Sequence, residues 1–145
     1  MTLQMKLSTE LIKKLLRELI SLLREIASAY QEALQIGRTH GVHAEPITFG
    51  LKILNWVDEM ERHLEKLTAN EPNFLAGKIS GAVGTYSNID PRIEEIVCQQ
   101  LGISPAKIST QIFSRDRHLL WLSLLASIAN SLEKFATTIR LLQRT

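Results

Sequence analysis

The feature that most constrains the fold is the long N-terminal segment, in which no glycine or proline occurs before Gly37. Its apolar residues alternate three- and four-residue steps, the spacing of a coiled-coil-like seam. The pattern predicts one helix over residues 3–35. Further apolar positions widen the stripe, so this helix must be covered on several sides. The seam consists of Ile12, Leu15, Leu19, Leu22, Ile26, Ala29 and Ala33, and Leu11, Leu16, Ile20, Leu23 and Tyr30 widen it.

The remaining sequence predicts two more long helices and a short one. Residues 37–45 and 77–85 are rich in glycine and are predicted to be loops. Pro46 is placed to open the second helix, which ends near residues 70–72. Asp90 and Pro91 predict the N-cap and first position of a short helix that ends at Leu101, with Gly102 as its C-cap. The third long helix runs from about Arg115 to the end.

These elements predict the fold class. Long helices joined by glycine-rich loops give an all-α bundle of three long helices plus a short one, in a single domain over residues 1–145. Only 6% of the residues are aromatic, and four prolines and seven glycines are too few for many short strands joined by turns. The broad apolar faces predict a homo-oligomer, since partner chains would cover what this chain leaves exposed. The alternative is a chain that pairs its extra apolar surface internally.

Composition excludes several function classes. A net charge of +2, without basic clusters, argues against binding to nucleic acid or to an anionic membrane surface. Residues 119–132 lack charge, but the run is shorter than the roughly 20 residues of a membrane span and contains serines and an asparagine. Cys98 is the only cysteine, so no internal disulfide is possible. The first residues lack the apolar region of a secretion signal, and we expect a cytoplasmic protein.

Arg38, Thr39 and His40 form the candidate catalytic segment. They lie where the first long helix is predicted to end and the second to begin. Histidine can hold and donate a proton near neutral pH, as a general acid must. Gly37 and Gly41 would let the backbone approach a substrate closely. From these residues alone, a surface or structural histidine and a catalytic one both remain possible.

Three motifs carry a resemblance to a known family. The segment 37–52, GRTHGVHAEPITFGLK, resembles the central motif of adenylosuccinate lyases, which belong to the fumarase/aspartase superfamily. Related lyases usually have Leu-Gln after the Thr-His pair. The segment 78–84, KISGAVG, resembles the family's glycine loop, and the segment 109–118, STQIFSRDRH, resembles its substrate-contacting segment. Residues 132–134 and 139–145 resemble its long bundle helix, so the similarity covers nearly the whole chain.

The resemblance implies an activity and roles for individual residues. The family eliminates fumarate from a succinylated purine nucleotide by β-elimination, without a metal or an organic cofactor. His40 matches the histidine that protonates the departing purine nitrogen. The positions that match or neighbour substrate contacts are Arg38, Thr39, Ser109, Thr110 and Gln111, the last on the succinyl part, and Ser80 is a candidate for a carboxylate contact.

The resemblance also implies an assembly. In the family, each site draws loops from three subunits of a tetramer. The Thr-Ser-Ser-Asp motif and the Ser-Ser-x-Met-Pro-x-Lys-x-Asn loop, which resembles the source of the catalytic base, do not occur in this sequence. We therefore expect these 145 residues to be inactive alone. Two alternatives are a helical oligomerisation module without catalysis and a sister lyase acting on another succinyl or a carboxymuconate-type substrate.

Other polar and aromatic residues have weaker functional interpretations. His43 and Glu45 suggest a metal site but lack a third ligand. His63 lies among charged residues and is predicted to be exposed. His118 is predicted to join an ion-pair network that orients Gln111, with direct substrate contact as the second interpretation. That network comprises Arg115, Asp116, Arg117 and His118, and the predicted packing residues are Trp56, Trp121 and Phe135.

Overall fold

Helices make up most of the structure. The computed structural model describes residues 1–144, and this part of the chain contains four α-helices. Three are long and one is short, so the predicted all-α class is confirmed. No helix in the described part of the chain contains an apolar stretch that could span a lipid bilayer. The helices are α1 (Thr2–Ala29), α2 (Phe49–Phe74), α3 (Pro91–Leu101) and α4 (Asp116–Leu142).

The first helix buries a different stripe from the predicted seam. In α1, Leu16, Ile20 and Leu23 are buried, whereas the seam residues Leu15 and Leu22 are each 52% exposed. A helix that is apolar over much of its circumference can bury either side, and the partners available in the fold decide which one. The exposed seam leaves a line of leucine side chains at the surface.

The segment after α1 is a β-hairpin, and the predictions of a helix to residue 35 and a loop at 37–45 were wrong. Strand β1 (Leu34–Thr39) pairs antiparallel with β2 (Val42–Thr48), from Leu34 opposite Thr48 to Thr39 opposite Val42. β-Branched residues in both strands favour this pairing. Glycine and proline had suggested a loop, but a short two-stranded ribbon tolerates both.

The start of the second helix also differs from the prediction. Pro46 lies within β2 opposite Ile36, and α2 begins at Phe49. Thr48 caps the helix instead, since its Oγ1 accepts a hydrogen bond of 3.1 Å from the backbone N–H of Leu51. The helix continues through Pro72 to Phe74, slightly beyond the predicted end.

The capping signals around α3 are confirmed. The Asp90 side chain accepts a hydrogen bond of 2.9 Å from the backbone N–H of Arg92, and Pro91 is the first helical residue. Gly102 adopts the left-handed conformation of a C-cap (φ 62°). After the helix, β4 (Ser104–Pro105) pairs in parallel with β3 (Ala76–Gly77).

The chain divides into two compact units. The first comprises Met1–Leu11 and Lys66–Ala126, and its core includes Phe74, Leu75 and Cys98. The second comprises Ile12–Glu65 and the residues from Ser127 onward. There Trp56 and Phe135 stack with ring centroids 4.5 Å apart, which confirms their packing role. The single domain predicted for residues 1–145 stays a prediction.

His63 is buried, so its predicted exposure was wrong. Its Nε2 lies 2.9 Å from Ser131 Oγ, which donates a hydrogen bond of 2.5 Å to Glu59. Lys134 also donates to Glu59. Burial raises the pKa of Glu59, but the hydrogen bonds from Lys134 and Ser131 outweigh it and hold that pKa below its ordinary value. The exposure was predicted from the charged residues next to His63 in the sequence. Its partner Ser131 lies on another helix, α4, and could not be found from those neighbours.

Candidate functional site

The hairpin tip presents the candidate acid. His40 and Gly41 are the two central residues of the turn, with φ of 53° and 75°. Positive φ at both positions is typical of a type I′ turn, whose backbone twist matches the twist of the two strands that it joins. His40 is exposed at this tip, and the exposed residues Thr39 and Arg38 precede it in β1. The hairpin thus presents Arg38, Thr39 and His40 consecutively at one end of a short ribbon.

The glycine-rich segment 77–85 is fixed by a buried carboxylate on α3. Glu94 is 1% exposed, accepts a hydrogen bond from the backbone N–H of Ile79, and accepts a second, of 2.8 Å, from the Tyr86 hydroxyl. Lys78 donates to the carbonyl of Gly81 within the segment. The Glu94 carboxylate therefore ties the backbone of this segment, and the Tyr86 side chain that follows it, to α3.

The same carboxylate shapes the local electrostatics. Its hydrogen bond with the phenol, together with some desolvation, raises the pKa of Tyr86 above the ordinary value. Burial raises the pKa of the Cys98 thiol, and the nearby charge of Glu94 adds to the effect. Cys98 is thus kept in its thiol form, as expected of a packing residue.

Two candidate substrate contacts meet between this segment and the connector before α4. Ser80 is 3% exposed, and its Oγ lies 3.0 Å from Ser109 Oγ. Gly84 has φ +83°, and a Cβ on it would lie 1.9 Å from the backbone oxygen of Ser109. Only a residue without a side chain allows this approach. The contact holds Ser109, and with it Thr110 and Gln111, against the glycine-rich segment.

We expect Gly84→Ala to lower the free energy of unfolding by about 3 kcal/mol, through a left-handed backbone and a forced separation from Ser109. Gly81→Ala is the matched control, since its φ is +86° but nothing lies within 4 Å of the added Cβ. Gly81→Ala should lower the free energy of unfolding by only about 1 kcal/mol. Urea unfolding of the three proteins measures the difference, and equal losses would contradict the role assigned to the Ser109 contact.

Gln111 lies beside a cavity. It is exposed, and together with Lys78, Arg115 and His118 it lines a cavity of about 310 Å³. The predicted ion-pair network around His118 was wrong, since no ion pair joins residues 115–118 in the described chain. Arg117 donates instead to the backbone oxygen of Asn73. His118 Nδ1 is buried and has no hydrogen-bond partner within residues 1–144.

The predicted site residues thus form two local groups. Arg38, Thr39 and His40 lie on the hairpin of the second unit, whereas Ser80 and the segment 109–111 lie in the first. Sequence reasoning missed Lys78, Glu94 and Tyr86. Lys78 stood in the quoted glycine motif and could have been found there, whereas Glu94 resembled any acidic residue in the first turn of a helix.

Comparison with known proteins shows the family. A family model described as lyase matches residues 1–145, and the chain belongs to this lyase family. It is 48% identical to the adenylosuccinate lyase of Synechocystis sp. over 145 residues, which are 100% of this chain and 34% of the relative. It is also 48% identical to the adenylosuccinate lyase of Bacillus subtilis strain 168 over 140 residues, 97% of this chain and 32% of the relative.

The chain therefore spans about a third of the length of these curated relatives. Its fold matches the crystal structure of a 3-carboxy-cis,cis-muconate lactonizing enzyme from Pseudomonas putida with a TM-score of 0.91 and 28% identity. That match covers 99% of this chain and 33% of the other. The resemblance to the lyases, first seen in three motifs, is confirmed over the whole chain.

Proposed function

We propose that this chain is the central portion of an adenylosuccinate lyase, a cytoplasmic enzyme of purine biosynthesis. The observation that carries the proposal is 48% identity to two adenylosuccinate lyases over 97–100% of the chain. The reaction would release fumarate from adenylosuccinate, giving AMP, and from the succinylated imidazole carboxamide ribotide. Identity to the muconate enzyme is only 28%, which favours the succinylated nucleotides over a carboxymuconate-type substrate.

His40 would act as the general acid. A base removes a proton from the succinyl carbon next to one carboxylate, and the electron pair left behind forms the double bond of fumarate. The C–N bond then breaks, and its electrons pass to the purine nitrogen, which takes a proton from His40. The exposed position of His40 at a hairpin tip supports this role, because a donor must reach a substrate held outside its own strand.

The other candidates would hold the substrate. Gln111 would contact the succinyl part, supported by its place on the rim of a cavity. Ser109 and Thr110 would lie beside it, and the hydrogen bond between Ser109 and Ser80 would position both hydroxyls. Thr39 and Arg38 would contact the nucleotide from the hairpin. Donors placed in advance in this way would stabilise the charge that develops during elimination.

We further propose a homotetramer in which the exposed seam of α1 is covered by partner chains. Leu15 and Leu22 are each 52% exposed, and on α4 Leu119 is 66% exposed. Exposed apolar rows of this kind mark association surfaces. Because the chain spans about a third of its relatives, we expect the 145 residues alone to release no fumarate. An oligomerisation module without catalysis is the competing proposal.

A chimeric enzyme tests the proposed function. The matching 140 residues of this chain replace the corresponding segment of the Bacillus subtilis relative, and fumarate release is measured with adenylosuccinate. We expect turnover. A second chimera with the Synechocystis segment controls for the junctions. If only that control is active, this chain is not an adenylosuccinate lyase segment, and turnover of 3-carboxymuconate alone would indicate the sister lyase.

A further inference from the structure

The cavity beside Gln111 is positively charged. It lies within the unit formed by Met1–Leu11 and Lys66–Ala126 and has a volume of about 310 Å³. Lys78 and Arg115 line it, and no acidic side chain is among its lining residues in the described part of the chain. Two cations without a carboxylate between them produce a local field that favours an anion.

The charge of Arg115 is not neutralised by the protein. Its guanidinium makes no hydrogen bond and no ion pair within residues 1–144, and the side chain is exposed beside the cavity. A guanidinium offers five N–H donors in a planar fork that fits carboxylate or phosphate oxygens. Lys78 uses one donor on the carbonyl of Gly81 and keeps its charge. The cavity is thus lined by charged hydrogen-bond donors that no protein group in the described chain uses.

His118 adds a buried ring nitrogen that the protein leaves without a hydrogen-bond partner within the described residues. Its Nδ1 has no hydrogen-bond partner in the described chain, although the atom is buried and the side chain lines the cavity. A buried polar atom without a hydrogen-bond partner is destabilising, so such atoms are usually paired with a protein group, with water or with a bound ligand. His118 also lies in the first turn of the 27-residue helix α4, where the helix dipole favours negative charge.

We propose that this cavity binds an anionic oxygen group, either a carboxylate or a phosphate. Arg115 and Lys78 would neutralise its charge, while His118 Nδ1 and the Gln111 amide would donate hydrogen bonds. Arg115 and His118 thereby become ligand-binding residues. The identification of the group as part of a succinylated purine nucleotide rests on the proposed function, whereas the affinity for anions does not.

Anion titrations of the chain test this directly. Sodium succinate and inorganic phosphate are added separately to the 145-residue chain at low chloride, and binding is followed by amide chemical shifts. The variant Arg115→Gln is compared with Arg117→Gln, which removes the same charge two residues away from a side chain that does not line the cavity. His118→Leu removes the ring donor, and His118→Asn restores a donor near the position of Nδ1.

We expect Arg115→Gln to weaken anion binding by about tenfold or more, because it removes a charge-assisted contact. Arg117→Gln should change it by less than about twofold, because the Arg117 guanidinium donates to the Asn73 carbonyl and does not line the cavity. His118→Leu should weaken binding, and His118→Asn should recover part of the loss. The tighter of the two anions identifies the group as carboxylate or phosphate.

Two results would overturn the proposal: no saturable binding of either anion by the unmodified chain, or equal losses in Arg115→Gln and Arg117→Gln. Arg115 is exposed and unpaired, so its variant should fold normally, and circular dichroism checks this. The titration does not depend on turnover. An inactive chimera with intact anion binding would therefore reject the proposed function alone, and an active chimera whose segment binds no anion would reject this site alone.

Discussion

The His40→Gln variant of the active chimera is expected to lose between about a hundredfold and ten-thousandfold in kcat, the range that a general acid contributes. KM should change little, because the exposed imidazole would act on the leaving nitrogen and not on the bound ground state. Steady-state fumarate release with adenylosuccinate measures both constants. The pH profile of kcat should also lose the limb that reflects deprotonation of the general acid.

The same hairpin offers a matched control. His43 is an exposed histidine of β2, opposite Arg38, and His43→Gln makes the same chemical change outside the turn. We expect its kcat to stay within about threefold of the unmodified chimera, as for a surface change away from the chemistry. Comparable losses in both variants would mean that the hairpin as a whole matters and that His40 is not the acid.

The second large effect is on stability. Glu94→Ala is expected to lower the free energy of unfolding of the chain by about 3 kcal/mol, because it leaves the Ile79 N–H unpaired and opens a cavity in the core. Glu94→Gln keeps the size and one acceptor and should lose about half as much. Urea unfolding measures these changes, and Glu95→Ala on the exposed side of α3 is the control, expected within about 0.5 kcal/mol.

An independent readout accompanies this variant. The hydrogen bond to Glu94 is the main cause of the raised pKa of Tyr86, so Glu94→Ala should lower that pKa toward the ordinary value of a tyrosine. Spectroscopic titration of the phenol measures it. A Tyr86 pKa unchanged by the substitution, or a stability loss no larger than that of Glu95→Ala, would contradict the role of Glu94 in holding the glycine-rich segment.

Predictions from the sequence succeeded where the cause is local. The caps of α3 were predicted because Asp90, Pro91 and Gly102 act on backbone groups only a few residues away. The long helices were predicted because apolar periodicity acts within a few turns. The family motif around His40 was read correctly as a lyase signature, although its conformation was not, because a His-Gly turn is a weaker hairpin signal than Asn-Gly.

What the sequence determined by itself is the helical class, the caps and the membership of a lyase family. The tertiary structure alone decided which face of α1 is buried, that His63 pairs with Ser131 across 68 residues of chain, and that Glu94 holds Ile79. It also decided that Lys78, Arg115 and His118 share one cavity. The reason is physical: periodicity and capping act between near neighbours along the chain, whereas burial and the partner of a polar group depend on segments that only folding brings together.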